Sequence, residues 1–287
     1  VKTSIIGLIE GIAEATASLL KLASGWLSDL LGRRKSLVVL GYGLSSIAKP
    51  FLAIASSWPQ VLAIRFADRV GKGIRTSPRD ALVADSSPLE IRGRSFGFHR
   101  AADTAGAVTG LALAALVVYL SQRGAMTLSL QTYRLIVLLA MIPGFIAVAL
   151  ALLFVTEVKP SKRETSTPLF ISPRNFDRRF LFFLLAIVLF TLGNSSDAFL
   201  ILRAQNVGLN VFQITVMLVG FNVLYSFVSM PAGEVSDRIG RRKVIIAGWM
   251  AYALIYLGFA LAFKAWHVWL LYVAYGIYYG LTEGVAR

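Results

Sequence analysis

Nine apolar stretches dominate this chain, at about 3 to 27, 36 to 55, 58 to 84, 96 to 120, 133 to 154, 179 to 203, 209 to 231, 244 to 263 and 266 to 287. Each is near the roughly 20 residues that a helix needs to cross about 30 Å of hydrocarbon. Lipid offers no partner for a backbone N–H or C=O, so a spanning segment must be a helix or a strand of a closed barrel. Barrel strands would appear as segments of alternating polarity, and none occurs. With 56% hydrophobic and 15% charged residues, the expectation is an all-α, multi-pass membrane protein.

The net charge of +14 would point to nucleic acid in a soluble chain. Its placement argues otherwise. If the loop at Arg33-Arg34-Lys35 is cytoplasmic and the loops alternate from there, seventeen Lys and Arg fall inside and only Arg123, Arg134, Arg203 and Lys264 outside. That asymmetry is the positive-inside pattern of a protein in a prokaryotic cytoplasmic membrane, and it leaves no nucleic-acid footprint. There is no cysteine, and His99 and His267 are the only histidines, so disulfides, thiol chemistry and a cysteine metal site are excluded. No metal-protease signature, Ser-His pair or phosphate loop is present, and neither enzyme chemistry nor a cofactor is expected. The first apolar run carries Glu10, Glu14 and Lys21 and does not read as a cleaved signal peptide. Nine spans are an odd number for a duplicated bundle, and the ends fall in or beside apolar runs, so the chain reads as a fragment.

The duplication is visible in one phrase. Gly25-Trp-Leu-Ser-Asp29-Leu-Leu-Gly32-Arg33-Arg34-Lys35 recurs 208 residues later as Gly233-Glu-Val-Ser-Asp237-Arg-Ile-Gly240-Arg241-Arg242-Lys243. Both copies sit between membrane-length runs. The least apolar segment, with three prolines and many Ser, Thr and charged residues, lies between the halves and reads as a cytoplasmic linker. The expected organisation is an N-terminal bundle at 1–154, a linker at 155–178 and a C-terminal bundle at 179–287.

Paired turns of this kind, after the second and eighth helices, resemble the loop signature of major facilitator superfamily permeases. The resemblance covers nearly the whole chain. It implies a transporter of twelve helices in two six-helix, pseudo-symmetric bundles, of which about nine are present here, the first, eleventh and twelfth being absent. The runs Arg65-Phe-Ala-Asp68-Arg69-Val-Gly-Lys72-Gly73-Ile-Arg75-Thr-Ser-Pro-Arg79-Asp80 and Gly193-Asn194-Ser-Ser-Asp197 resemble a prokaryotic subgroup. Arg69-x-x-Lys72-Gly73 resembles the fourth-helix signature, although glutamine is usual where Lys72 stands. Gly97, Gly106 and Gly110 match the glycine spacing of the fifth-helix antiporter signature, but Leu111 replaces its proline.

Within the repeated turn, Gly25 and Gly32 permit close approach or a tight reversal, and Asp29 can accept hydrogen bonds at a neighbouring helix start. Gly25, Asp29, Gly32 and Arg33, with Gly233, Asp237, Gly240 and Arg241, are therefore gating candidates, whereas Arg34, Lys35, Arg242 and Lys243 read as topology markers alone. Asp237 is expected to meet the entrance of the helix near Arg92 and Arg94. The family resemblance implies an eleventh-helix partner for Asp29. The offset of 208 also places Glu283 opposite Arg75, an acid and a base that can close a cytoplasmic gate.

The third span carries the strongest chemical signal. Ser57 and Gln60 have capping-box spacing, and from there a 3.6-residue period sets Arg65, Arg69, Lys72, Thr76 and Arg79 on one stripe with Asp68 and Arg75 beside it. A charge facing lipid at mid-membrane costs on the order of 3 kcal/mol or more, so this face needs water or paired acids. Glu10 and Glu14 on the first span and Asp103 on the fourth are the acids available, and Glu14 is a candidate protonation site. In the second half Asn194 and Asp197 interrupt an apolar helix, and Asn222, Tyr225 and Ser229 form a polar row fit for a cavity. The expected function is alternating-access transport of a small anionic or amphiphilic organic solute, with protons as coupling ion and export as direction, by a monomer in the lipid bilayer. The alternative is a sensor or assembly subunit that uses the fold without flux.

Overall fold

The computed structural model describes residues 3–88, 91–122, 124–157, 177–194 and 196–283, without the side chains of 92–94, 97, 179, 230, 233, 234, 237 and 283. Ten α-helices account for nearly all of them: α1 (Thr3–Leu31), α2 (Arg34–Ala48), α3 (Trp58–Asp85), α4 (Arg92–Ser121), α5 (Leu130–Phe154), α6 (Arg178–Gly193), α7 (Asp197–Asn206), α8 (Val211–Ile239), α9 (Arg241–Leu261) and α10 (Ala265–Glu283). A 3-10 turn, Lys49–Ala53, prolongs α2. Six segments are long and apolar enough to cross a membrane on those criteria alone, and α6 with α7 forms one of them, Phe180–Asn206. α1, α3 and α10 are not in that set. Counting α6 and α7 as one, the described residues form nine long helical segments at the places of the nine apolar runs, six of which meet those criteria.

The helix ends follow local chemistry. Gly32 adopts φ +60° and Gly240 φ +92°, a backbone region costly for other residues, and each amide closes the preceding helix onto Ser28 and Ser236 respectively, at 3.0 and 2.9 Å. Both copies of the repeated phrase thus make the same reversal. Gln60 Oε1 accepts the amides of Ser56 and Ser57 at 2.8 and 3.3 Å at the start of α3. Asn210 and Gln213 cap α8 reciprocally, at 2.8 and 3.0 Å.

The chain divides into two compact units, one of Val1–Phe96 with Val137–Ser196 and the other of Gly97–Ile136 with Asp197–Arg287. In the first, α3 packs along both α1 and α2. Small residues bring the backbones together. A Cβ on Gly71 would stand 2.6 Å from the Gly41 carbonyl oxygen, and one on Gly73 2.5 Å from Leu20 Cβ. Serine hydroxyls donate across the same seams, Ser24 to the Gly73 carbonyl at 2.9 Å, Ser77 to Lys21 at 2.7 Å and Ser45 to Asp68 at 3.1 Å. In the second unit α10 packs on α8 and α9, and Gly276, Gly280 and Gly248 take the equivalent close approaches. There the gaps are filled by aromatic rings, with Tyr275 fully buried among Phe221, Tyr252, Tyr256, Tyr272, Tyr278 and Tyr279.

Candidate functional site

Charged residues of the first unit converge at two levels. At the α1–α2 turn Arg34 is the centre. Its side chain is only 6% exposed, pairs with Asp29 at 3.2 Å and with Asp85 at the end of α3, and donates to the Ala81 carbonyl at 3.1 Å. The Glu157 carboxylate accepts the amides of Arg34 and Lys35, at 2.7 and 2.9 Å, and so caps the positive end of α2. Lys35 Nζ donates to the Leu152 carbonyl at 2.7 Å. The expectation that Arg34 and Lys35 only mark topology is therefore corrected. A buried guanidinium with two acids ties the turn to α3, and a carboxylate at the end of α5 ties it to α2. Asp85 and Glu157 were not readable as partners, because neither stands at a helical spacing from the turn. Arg33 is exposed just before α2, Gly25 lies 3.3 Å from Ser77 Cβ by its virtual Cβ, and Arg241 is exposed at the start of α9.

Higher in α3 the cationic stripe meets α1. Arg65 pairs with Glu10, and Arg69 Nη1 lies 3.3 Å from Glu14. These are two rungs of a ladder, one helical turn apart on each helix. Asp68 lies 3.8 Å from the exposed Lys49. Arg75 donates to Ser45 Oγ at 3.0 Å and stacks 4.3 Å over the Tyr42 ring, while Arg79 pairs with its neighbour Asp80 at 2.9 Å. Thr76 turns back onto the Lys72 carbonyl at 2.6 Å. The Lys72 amine has no ion-pair partner among the described residues. Arg65, Arg69 and Arg79 on the stripe thus each have an acid partner.

The second unit holds a cavity of about 200 Å³ lined by Arg100, Asp103, Thr104 and Ala107 of α4, Phe221, Asn222 and Tyr225 of α8, and Tyr279 of α10. Three predicted residues, Asp103, Asn222 and Tyr225, come together here. Arg100 was missed, although it stands three residues before Asp103 on α4. Its guanidinium contacts the Tyr225 hydroxyl and lies 5.5 Å from that ring's centroid. Tyr279 donates to Asp197 Oδ2 at 3.1 Å, which sets the acid at the start of α7 behind the aromatic wall. Asn194 ends α6, with Oδ1 buried and without a hydrogen-bond partner among the described residues. A Cβ at Gly106 or Gly110 would meet nothing within 4 Å among the described residues. The side chains of Arg92, Arg94, Gly233, Asp237 and Glu283, and most of the linker, lie outside the described residues.

Ionised groups paired inside membrane-length helices, and a polar cavity walled by aromatic rings, are features that multi-pass membrane transporters use. The chain belongs to the Major Facilitator Superfamily, which it matches over residues 2–286. It is 35% identical over 285 residues to the "Uncharacterized MFS-type transporter MJ1317" of Methanocaldococcus jannaschii, covering 97% of this chain and 69% of that protein. "Probable anion transporter 6, chloroplastic" of Arabidopsis thaliana is 28% identical over 116 residues, 40% of this chain and 22% of that one. The fold of this chain is similar to that of the xylose transporter XylE from E. coli, solved in a partially occluded inward-open conformation, with a TM-score of 0.69 at 18% identity over 99% of this chain and 75% of that one. A bacterial homologue of the human lysosomal transporter Spinster matches with a TM-score of 0.61 at 18% identity, over 96% and 65%.

Proposed function

We propose that this protein moves a small anionic or amphiphilic organic solute across a prokaryotic cytoplasmic membrane by alternating access, as a monomer, with protons as the coupling ion. The carrying observation is the meeting of Arg100, Asp103, Asn222, Tyr225 and Tyr279 around one cavity. A guanidinium held against a tyrosine offers a fixed fork of donors to a carboxylate or phosphate, and Phe221, Tyr225 and Tyr279 offer apolar walls to the rest of the solute. The printed name of the Arabidopsis relative is in keeping with an anionic cargo. Glu10 and Glu14, both ion-paired to α3, are the groups at which a proton would be exchanged for a solute charge. Export is the direction that the α4 glycine spacing resembles.

The test is flux. Proteoliposomes containing the intact protein and loaded with a radiolabelled aromatic carboxylate should release it faster under an imposed pH gradient than without one. Arg100→Gln should abolish the release, and Tyr225→Phe should slow it. Solute-independent vesicles, with no release above protein-free controls for any carboxylate or phosphate ester, would favour the sensor or assembly reading.

A further inference from the structure

The cavity of the second unit carries charges of both signs. Arg100 and Asp103 stand three residues apart on α4, and both line it. That spacing sets two side chains on one helical face, where a guanidinium and a carboxylate can pair. Here each goes its own way. Arg100 is turned onto the hydroxyl and ring of Tyr225, and Asp103 has no ion pair or hydrogen bond among the described residues. Asp103 lies within Phe98–Ser121, a segment long and apolar enough to cross a membrane, where an ionised carboxylate needs water or a counter-charge.

The hydrogen bonds around the cavity have a direction. Thr104 Oγ1 donates to the Arg100 carbonyl at 3.0 Å, Asn222 Nδ2 to the Leu218 carbonyl at 2.9 Å and Tyr279 Oη to Asp197 Oδ2 at 3.1 Å. With those hydrogens committed inside the protein, what these groups chiefly present to a solute is acceptor oxygen. A solute with a carboxylate alone would occupy Arg100 and bring no donor to Asp103 or to Asn222. The charges agree. Counting Asp197 behind Tyr279, two carboxylates face one guanidinium among the described lining residues and their hydrogen-bond partners. The rings of Phe221, Tyr225 and Tyr279 touch one another with centroids 5.3 to 6.4 Å apart, and the Arg100 guanidinium already lies 5.5 Å from the Tyr225 centroid, so this wall accepts positive charge.

We infer that the cavity takes a small amino-carboxylate zwitterion, with its carboxylate on Arg100, its ammonium on Asp103 and the Asn222 oxygen, and its apolar body against the rings. The inference rests on the reading that Arg100 holds the anionic group of the solute, and it narrows an amphiphilic solute to one that also carries an ammonium. Size agrees with this. About 200 Å³ is the share of about seven waters at roughly 30 Å³ each, below the roughly 300–1,000 Å³ of sites for drug-sized ligands. An ammonium brings three donors, which suits acceptors supplied by two different helices.

The test is equilibrium dialysis of the intact protein in neutral detergent against three radiolabelled probes that share one phenylethyl body. Phenylalanine carries both charges, 3-phenylpropionate the carboxylate alone and 2-phenylethylamine the ammonium alone. Phenylalanine should bind about ten- to a hundredfold more tightly than either, the gain typical of one charge-assisted contact. Asp103→Asn should erase the advantage over 3-phenylpropionate, which should itself bind this variant more tightly once the like charge is gone. Asp103→Glu, which keeps the charge, should retain the preference for phenylalanine. The wild-type ranking is decisive without any variant: 3-phenylpropionate binding as tightly as phenylalanine overturns the inference and leaves an anionic carrier intact. Binding of none of the three, with carboxylate flux still present, does the same. 2-Phenylethylamine matching phenylalanine, with Arg100→Gln without effect on either, instead removes Arg100 as the seat of an anion and the carboxylate half of the inference with it.

Discussion

Gly41 and Gly43 lie two residues apart on α2, yet only one of them faces α3. A Cβ on Gly41 would stand 2.6 Å from both Arg75 Cβ and the Gly71 carbonyl oxygen, and 2.9 Å from the Arg75 amide nitrogen. Two of those atoms are backbone and the third sits at the root of a side chain, so no rotamer change relieves the clash. The helices must separate by nearly 1 Å to restore ordinary contact, which loosens the Ser45–Asp68 bond and lifts Arg75 from Tyr42. Overpacking of this kind costs about 1–3 kcal/mol. A Cβ on Gly43 meets nothing within 4 Å. There the substitution contributes only the helix-propensity gain of alanine over glycine, up to about 1 kcal/mol. Gly41→Ala should therefore be less stable than Gly43→Ala by about 1–3 kcal/mol, since both receive the same propensity gain. Reversible SDS unfolding in mixed micelles reads the difference directly. Equal stabilities, or a more stable Gly41→Ala, would refute the account of α2–α3 packing.

Other outcomes follow from the same contacts. Arg34→Ala strands Asp85 and removes the tie between turn and α3, and should destabilise by about 3–5 kcal/mol in the same unfolding assay; Arg34→Lys should recover only part of this, because one ammonium cannot serve two acids and a carbonyl as a guanidinium does. Glu157→Gln weakens the anionic cap on α2, with an expected loss of about 0.3–1 kcal/mol that shrinks at high salt. Gly240→Ala forces a side chain into φ +92° and should cost about 1–2 kcal/mol, although a Cβ there touches nothing. Exchanging the rung, with Glu10→Arg and Arg65→Glu together, should restore stability that either single change removes, and failure of the double variant would show that Arg65 serves some group other than Glu10.

The spans, the duplicated reversal and the charged face of α3 could all be read from local periods. Apolar length, glycine position and a 3.6-residue spacing act within a few turns of one helix, and the chain states them directly. Gly32 and Gly240 are such a case, since their φ follows from the turn alone. The pairing of the acids was less legible. Glu10 and Glu14 share the one-turn spacing of Arg65 and Arg69, but spacing cannot tell which helix they face, or whether water or an acid neutralises the stripe.

What the amino-acid sequence determined by itself is therefore the solvent, the secondary structure, the repeat and the kinds of charge each helix carries, because hydrophobicity and backbone preference are properties of short segments. Only the tertiary structure decided that Arg34 is a buried three-way tie rather than a topology marker, that Arg100 lines a cavity with Tyr225, and that Arg65 and Arg69 take Glu10 and Glu14 as their partners. Those outcomes depend on which side chains from distant segments arrive within about 4 Å of one another, the range over which an ion pair or hydrogen bond is made and over which no local pattern has any reach.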